Sequence, residues 1–277
     1  MEEGYLQHLF GVQGKVIVIT GGSGVLGGAM ARGLALAGAS VVVLGRTLAS
    51  LEATVTDIVA TGGEAFAVQA DVLDKAALER ALAEVIGRYG RVDGLINAAG
   101  GNRPEATTSA DLSFFDLPSE AFGQVLDLNL IGTLLPCQVF GRHMAERGEG
   151  AIINIASVNS YRPLTNVPAY AAAKSAVKNL TEWLAVHLAQ NCSPKIRVNA
   201  IAPGFFLTKQ NEYLLVDAHT GGVTQRGERI IAQTPMGRYG LPEELVSTVI
   251  WLLSPGAAFI TGVTVPIDGG YCAFGGV

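Results

Sequence analysis

The chain has 277 residues, of which 49% are hydrophobic and only 16% are charged, and its formal net charge is −5. A hydrophobic fraction this high predicts a globular protein with a large core and excludes an intrinsically disordered chain. The acidic balance and the lack of a block of Lys and Arg argue against nucleic acid or an anionic membrane as a partner.

Apolar, β-branched runs alternate with helical stretches along the chain, which is typical of repeated strand–helix units. In chain order we predict strands over 15–20, 40–44, 65–69, 94–96, 151–155, 196–200 and 264–267, and helices over 25–37, 48–61, 75–89, within 119–146, 169–190 and 242–253. Strands that are apolar on both faces indicate a parallel sheet covered by helices on both sides. We therefore predict an α/β fold, with a single Rossmann-type doubly wound parallel sheet of about seven strands. No repeat or linker is visible, so we expect one domain over 1–277.

The cysteines, the first residues and one long uncharged run together predict the cellular compartment of the protein. Three scattered cysteines have neither a disulfide pattern nor metal-ligand spacing, so we expect a reducing environment and no metal site. Acidic residues follow Met1 where a signal peptide carries basic ones. The uncharged run 249–267 is interrupted by Ser254-Pro255-Gly256, so it predicts a helix, a turn and a strand rather than a membrane span. We expect a cytoplasmic protein with no membrane partner.

A glycine-rich turn follows the first predicted strand. Gly22-Ser23-Gly24-Val25-Leu26-Gly27 matches the pattern G-x-G-x-x-G and opens the first long helix. The free amides and the dipole of a helix N-terminus bind pyrophosphate, so in this strand–turn–helix context the turn predicts a dinucleotide site. The alternative is a tight turn that binds no ligand.

The end of the second predicted strand bears on which dinucleotide binds. An acidic residue there bonds the 2′-hydroxyl of the adenosine ribose, whereas an Arg can hold a 2′-phosphate. Leu44-Gly45-Arg46 contains no acid and one Arg. Arg46 therefore favours NADP(H), and NAD(H) stays possible because an exposed Arg is also an ordinary surface residue.

Tyr170 and Lys174 lie four residues apart in an alanine-rich helical stretch. This spacing places both side chains on one face of a helix. An ammonium beside a phenol lowers the pKa of the phenol and makes it usable as an acid or base near neutral pH. Taken alone, the pair is weak evidence, because Tyr and Lys at this spacing on a surface helix are usually a solvated pair.

Together, these motifs and their order resemble the short-chain dehydrogenase/reductase family over nearly the whole chain. Thr20 to Gly27 resembles that family's T-G-x-x-x-G-x-G turn, except that Val25 stands at the middle glycine and Gly24 comes one place earlier. Further matches are Asp71-Val72, Asn97-Ala98-Ala99-Gly100, Asn129, Ser157, Tyr170-x-x-x-Lys174 and Asn199-Ala200-Ile201-Ala202-Pro203-Gly204.

The resemblance implies a set of catalytic and cofactor residues. The catalytic residues would be Asn129, Ser157, Tyr170 and Lys174, with Tyr170 as proton donor, Ser157 bonding the reacting oxygen, Lys174 lowering the pKa of Tyr170, and Asn129 holding a water that links Lys174 to solvent. Cofactor contacts are expected at Gly21, Ser23, Gly24, Val25, Leu26, Arg46, Asp71, Val72, Asn97, Ala98, Ala99, Gly100, Tyr170, Lys174, Pro203, Gly204, Phe205 and Thr208.

The loops after Gly100, before Tyr170 and after Gly204 look most like those of D-mannonate oxidoreductases (fructuronate reductases), which implies a sugar-acid substrate. The polar segment at about 205–234 is long for a connection and is predicted to form a lid over that substrate. Candidate substrate residues are Asn102, Arg103, Asn159, Lys209, Gln210 and Arg226. Alternatives are a 5-ketogluconate, 3-oxoacyl or steroid reductase, or a dinucleotide-binding protein without catalysis.

The apolar faces of two predicted helices indicate contacts between subunits. The stretches around Asn129 and Tyr170 are apolar on more than one face, which is more than a solvated helix tolerates. The family resemblance implies a homodimer or homotetramer that would cover these faces. We interpret His187 as a structural or interface residue rather than a catalytic one.

Overall fold

The structure is a computed structural model that describes residues 4–207, 215 and 221–276. Its strands are β1 (Val16–Thr20), β2 (Ser40–Gly45), β3 (Glu64–Gln69), β4 (Gly94–Asn97), β5 (Gly150–Ile155), β6 (Ile196–Pro203) and β7 (Thr264–Ile267). Its α-helices are α1 (Tyr5–Phe10), α2 (Val25–Leu36), α3 (Leu48–Ala60), α4 (Lys75–Tyr89), α5 (Ser119–Leu126), α6 (Gly132–Arg147), α7 (Pro168–Asn191), α8 (Gln225–Ala232) and α9 (Val246–Leu253).

All seven strands lie in one parallel sheet in the order β3-β2-β1-β4-β5-β6-β7. This confirms the predicted fold class. The strand order reverses between β1 and β4, because the chain moves outward through β2 and β3 before it returns to the other side of β1. In open α/β sheets, ligands bind at such a switch point, beyond the carboxyl ends of the strands.

The core has two layers, one on each face of the sheet. Because side chains alternate along a strand, Ile17 and Ile19 face one layer while Val16 and Val18 face the other. The first layer packs against α2, α3 and α9, and the second against α4, α6 and α7. Strands buried on both faces explain the apolar runs in the sequence.

Three elements differ from the sequence predictions. The helix predicted within 119–146 is two helices, α5 and α6, joined by a π-helical turn over Asp127–Ile131. The helix predicted over 242–253 begins as a 3₁₀ turn, Pro242–Leu245, and the N–H of the preceding residue, Leu241, donates to the Glu244 carboxylate (2.8 Å). The short helix α1, which lies beside the 3₁₀ turn Pro255–Ala257, was not predicted.

The predicted lid at 205–234 is described only in part, at 205–207, 215 and 221–234, and this part includes α8. Thr208, Lys209 and Gln210 lie outside the described residues. The start of the segment meets the chain that follows it, and we call this meeting the stem: Gly240 N–H donates to Phe205 O (2.9 Å), and Phe206 forms a bridge with Gly240. Arg238 makes a bidentate ion pair with Glu244 beside this stem (2.6 and 2.7 Å).

Within the described residues, no helix is both long enough and apolar enough to cross a lipid bilayer.

Candidate active site

A cleft of about 550 Å³ lies beyond the carboxyl ends of the central strands, at the switch point of the sheet. Its walls come from the turns after β1, β2, β4, β5 and β6 and from one face of α7. The lining residues are Gly21, Ser23, Gly24, Val25, Leu26, Gly27, Gly45, Arg46, Thr47, Ser50, Ala70, Val72, Ala98, Ala99, Gly100, Gly101, Leu128, Ile155, Ala156, Ser157, Tyr170, Lys174, Pro203, Gly204, Phe205 and Phe206.

The glycine turn is a backbone cradle that side chains would fill. Gly21 has a left-handed backbone (φ +64°), and a Cβ added there would lie 2.8 Å from the backbone of Ala99. A Cβ on Gly27 would lie 2.3 Å from the carbonyl oxygen of Gly21, which is well inside contact distance. The first amides of α2, from Val25 onward, have no partner within the helix and lie beside the cleft. Such a cradle fits a pyrophosphate.

Val25 stands where the family motif has its middle glycine, and the point at which α2 begins explains why a side chain fits there. Gly24 is the N-cap, with an ordinary backbone (φ −73°), and Val25 is the first helical residue. Gly24 N–H donates to Gly21 O (3.0 Å), which closes the turn before the helix begins. A side chain at position 25 therefore lines the cleft and does not obstruct the turn.

Thr20 contributes a contact that the sequence analysis did not single out. Its fully buried hydroxyl accepts hydrogen bonds from the amides of Ala98 (3.1 Å) and Ala99 (3.2 Å). These bonds join the turns after β1 and β4, which form opposite walls of the switch point. The only sequence signal for this role is the place of Thr20 in the glycine-turn motif.

Arg46 lies exposed at the end of β2, beside Thr47 and Ser50 on the cleft wall. Its carbonyl accepts a hydrogen bond from Gln69 Nε2 (2.8 Å), which ties the turn to β3. Val72 is buried and lines the cleft, whereas the Asp71 carboxylate accepts a hydrogen bond from Leu73 N–H (3.0 Å). Arg46 thus brings a guanidinium group to the edge of the cleft formed by the turn after β2.

The side chain of Asn97 is directed away from the cleft and into the protein. Its amide donates to Asn154 Oδ1 (2.9 Å) and to Cys137 Sγ (3.1 Å), and Asn154 in turn donates to the hydroxyl of Thr181 on α7 (2.9 Å). Burial raises the pKa of the Cys137 thiol to about 12, so this thiol is a neutral member of the network. Asn97 therefore joins the sheet to α7, while Ala98 and the two residues after it line the cleft.

Tyr170, Lys174 and Ser157 converge on the same wall. Lys174 is buried and donates from Nζ to Ile155 O (2.7 Å), at 5.5 Å from the centre of the Tyr170 ring. Ser157 follows β5, and its hydroxyl accepts from Asn159 N–H (3.2 Å). A phenol, a hydroxyl and an ammonium in one cleft can donate a proton to a carbonyl oxygen and stabilise the charge that develops on it.

The pKa values differ in direction from the sequence expectation. Burial raises the pKa of Tyr170 above its ordinary value, although the neighbouring Ser157 hydroxyl opposes this shift. The net direction is opposite to the one expected from a neighbouring ammonium, because burial raises the pKa of Tyr170 more than the Ser157 hydrogen bond lowers it. Burial also lowers the pKa of Lys174 to about 8.

Asn129 lies in the π-helical turn and is fully buried. Its amide donates to Gly101 O (2.7 Å) and Val125 O (2.8 Å), and its Oδ1 accepts from Gly101 N–H (3.1 Å). A Cβ added to Gly100 would lie 2.7 Å from Asn129 Oδ1 and 3.3 Å from Lys174 Nζ, so only glycine fits there. Asn129 thus fastens the turn after β4 beside the Lys174 ammonium.

The turn after β6 closes the cleft on the side opposite α7. A Cβ on Gly204 would lie 2.7 Å from Asp268 Cα, so this position also requires glycine. The ring of Phe205 packs edge-on against Tyr271, at 5.1 Å between centres. The cleft is lined here by Pro203, Gly204 and Phe205, three of the residues expected to contact the cofactor.

None of the described substrate candidates is among the residues that line the cleft. Asn102 donates to Thr107 Oγ1 (2.9 Å) on an exposed loop, and Arg103 is exposed next to it. Asn159 is buried, and its Oδ1 accepts from Leu164 N–H (3.0 Å). Arg226 is half-buried in the first turn of α8.

Comparison with known proteins identifies the family. Residues 23–272 match the sequence profile of the family described as enoyl-(acyl carrier protein) reductase. The uncharacterized oxidoreductase UxuB of Bacillus subtilis (strain 168) is 50% identical over 273 residues, spanning 95% of this chain and 97% of the relative. The chain belongs to the short-chain dehydrogenase/reductase family.

Solved structures of this family agree with the fold. A protein from Haemophilus influenza, provisionally described as a D-mannonate oxidoreductase with bound NAD, is 38% identical with a TM-score of 0.90, over 96% of this chain and 98% of the other. A gluconate 5-dehydrogenase from Burkholderia cenocepacia J2315, in complex with NADP and tartrate, is 31% identical with a TM-score of 0.85, over 98% and 100%. This short-chain dehydrogenase/reductase is therefore an NAD(P)-dependent oxidoreductase.

Proposed function

We propose that the chain is a single-domain enzyme that transfers a hydride between NADP(H) and a keto or hydroxy group of a sugar acid, of the D-mannonate/D-fructuronate type. The observation that carries this proposal is the convergence of Tyr170, Ser157 and Lys174 in one cleft with the glycine cradle. One part can hold a dinucleotide, and the other can handle the proton that accompanies the hydride.

The proposed chemistry assigns each side chain one task. The bound nicotinamide supplies the hydride in the reducing direction. Tyr170 donates its proton to the oxygen of the reacting ketone, and Ser157 bonds the same oxygen as its negative charge develops. Lys174 provides the positive charge that favours the phenolate left on Tyr170. Asn129 holds the turn beside Lys174 and, by family resemblance, a water that returns the proton.

The sugar-acid substrate is supported by the surroundings of the cleft and by the family. Asn102 and Arg103 bring an amide and a guanidinium group to the loop that follows Gly101 at the cleft, and Asn159 lies two residues after Ser157. Arg226, in the first turn of α8, is a further guanidinium candidate. Guanidinium groups bind carboxylates strongly, and amides suit sugar hydroxyls. The two solved structures point the same way, since one is provisionally a D-mannonate oxidoreductase and the other holds tartrate, a hydroxy acid. Lys209 and Gln210 remain sequence-based candidates.

A panel of ketones tests the substrate. We expect oxidation of NADPH, followed by its absorbance, with fructuronate as the best substrate. Faster turnover of 5-ketogluconate would favour the second candidate, a gluconate 5-dehydrogenase activity, which the Burkholderia structure supports. Turnover of 3-oxoacyl or steroid ketones alone would contradict the sugar-acid proposal. A lack of turnover on every ketone would leave the alternative of a dinucleotide-binding protein without catalysis.

The cofactor proposal predicts a selective effect at Arg46. Replacing Arg46 by Ala should raise KM for NADPH about tenfold, because a charged hydrogen bond to the 2′-phosphate is lost. KM for NADH, which lacks that phosphate, should stay within about twofold. Arg80→Ala is a matched control, since Arg80 is exposed on α4 and 4.0 Å from its Asp74 partner. Equal effects of Arg46→Ala on both cofactors would contradict a 2′-phosphate contact.

The Lys174 charge predicts a shift in the pH profile of alcohol oxidation. In this direction Tyr170 must lose its proton, so the rate rises with pH through the pKa of the phenol. The Lys174 ammonium, protonated below its pKa of about 8, favours the phenolate. Lys174→Met removes this charge, so alcohol oxidation should be slower than in the wild type below about pH 8, where the ammonium favours the phenolate, and the two rates should converge at higher pH. Lys178→Met, one turn along the same helix, should follow the wild-type profile, and a Lys174→Met enzyme as fast as the wild type below about pH 8 would contradict the assignment.

We also propose that a second copy of the chain covers the outer face of α7, giving a dimer or tetramer. Trp183 is 58% exposed and Val186 is 56% exposed on this face, and the Trp183 ring stacks on His187 at 4.8 Å between centres. Exposed apolar area of this kind favours association. Light scattering on the purified protein should give a mass of two or four chains, and a monomer would contradict the proposal.

A further inference from the structure

Asn166 has an unusual backbone conformation close to the proposed catalytic helix. It is the one non-glycine residue with a positive φ (+72°) among the residues that the structure describes. This left-handed conformation is strained for most residues and is best tolerated by Gly and Asn. Asn166 lies two residues before Pro168, where α7 begins, so it sets the direction in which the chain enters the helix that carries Tyr170. Strain of this kind persists where neighbouring contacts hold it, and it is frequent near functional sites.

The contacts that hold Asn166 come from a different loop. Thr108 donates its backbone N–H to the Asn166 carbonyl (2.9 Å) and its hydroxyl to Asn166 Oδ1 (3.2 Å). Thr108 is the last residue of a segment after β4, residues 101–108, which we call the rim. Thr108 thus bonds both the backbone and the side chain of Asn166, and we call this pair of hydrogen bonds the clasp.

The rim is a closed turn with two attachments. Its first residue, Gly101, exchanges two hydrogen bonds with the side chain of Asn129, and its last, Thr108, is bound to Asn166. Within the turn, the Thr107 hydroxyl accepts from Asn102 Nδ2 (2.9 Å) and donates to Arg103 O (2.8 Å). The exposed polar residues of the rim are therefore held in one place relative to Tyr170.

One attachment of the rim lies at the cleft, and the other lies outside it. Gly101 lines the cleft, and Asn129 lies beside Lys174. Neither Thr108 nor Asn166 lines the cleft, so we expect them to act on a substrate through the rim and not by direct contact. Loss of the clasp would release the Thr108 end of the rim while the Asn129 end stays bound.

We propose that Asn166 and Thr108 are positioning residues that hold the rim against the proposed catalytic helix, and thereby set the affinity for the polar substrate without entering the proton transfer. This inference rests on the proposed function, because it assigns the rim to substrate binding. It concerns residues that are four and sixty-two places before Tyr170 in the sequence.

Three variants separate the backbone contribution from the side-chain contribution. Asn166→Ala strains the left-handed backbone and removes Oδ1, and it should raise KM for the ketone about tenfold. Asn166→Gly keeps the conformation, and with it the bond to the Asn166 carbonyl, so it should raise KM only about threefold. Thr108→Val removes the same side-chain bond from the other side and should match Asn166→Gly. Turnover at saturation and KM for the cofactor should stay within about twofold in each case.

The double variant Thr108→Val with Asn166→Gly tests whether both residues act through one bond. Its KM should equal that of either single variant, since both changes remove the same contact. Thr56→Val is the matched control, because the Thr56 hydroxyl bonds only its own helix, at Glu52 O (2.8 Å). Amide hydrogen exchange over residues 101–108 should become faster in the three single variants and stay unchanged in the control.

The outcomes distinguish the inference from the proposed function. An active wild type with the same KM in all variants would overturn the inference alone, even if the rim exchanged faster. A fall in turnover at unchanged KM would also overturn it, because the residues would then act on the chemistry. No turnover by the wild type on any ketone would overturn the proposed function and this inference together.

Discussion

Tyr170→Phe should reduce turnover about a thousandfold, which is the usual contribution of a positioned proton donor. The change removes one oxygen from a half-buried ring and leaves the rest of the cleft in place. Lys174 keeps its bond to Ile155 O, so the affinity for the dinucleotide, measured by nicotinamide fluorescence, should stay within about twofold. Loss of turnover with retained binding is the signature of a group that acts in the chemical step.

Tyr89→Phe is the control for this experiment. Tyr89 ends α4 and does not line the cleft, so removal of its hydroxyl should leave turnover unchanged. A Tyr170→Phe enzyme that retains more than about a tenth of its activity would contradict the assignment of the proton to this phenol.

Gly27→Ala should have the largest effect on dinucleotide binding. The added methyl group would lie 2.3 Å from Gly21 O and 3.0 Å from Gly21 C, and both atoms belong to a backbone that cannot rotate away. Either α2 or the turn has to move, at a cost of about 1–3 kcal/mol in the free energy of unfolding. Because the same turn forms the proposed pyrophosphate cradle, we expect the Kd for NADPH to rise on the order of a hundredfold.

The chain offers a close control in Gly87, which is exposed in α4 with nothing within 4 Å of an added Cβ. Gly87→Ala should raise the free energy of unfolding by about 0.5–1 kcal/mol, since alanine favours a helix, and it should leave the Kd unchanged. Thermal unfolding and NADPH titration of both variants give the comparison. Equal Kd values for Gly27→Ala and the wild type would show that the cradle does not hold the dinucleotide.

The fold could be predicted from the sequence because its signals are local. Buried parallel strands produce continuous apolar runs, and each run here ends in, or is followed within two residues by, a glycine or a polar residue at the edge where ligands bind. The interruption between α5 and α6 could not be predicted in the same way. A π-helical turn needs no glycine or proline within it, and Asp127–Ile131 contains neither, so the helical pattern looks continuous there.

The candidate site, like the fold, could be predicted from the sequence only in part. The spacing of Tyr170 and Lys174 predicts that they share a helix face, and the structure places them on one wall of the cleft. Their pKa directions depend on burial by other elements, which spacing does not reveal. The inward direction of Asn97 and the ion pair of Arg238 with Glu244 depend on partners that the sequence alone does not identify.

The stem has a consequence for the variation that this protein can tolerate. A backbone hydrogen bond joins Gly240 to Phe205, and Phe206 forms a bridge with Gly240, so these flanking residues can stay in place when residues between them change. Doubling the length of a flexible loop costs only about 0.6 kcal/mol in closure entropy. We therefore expect insertions between Phe206 and Gly240 to be tolerated more readily than insertions into the strands, while the wall that carries Tyr170 and Lys174 stays intact.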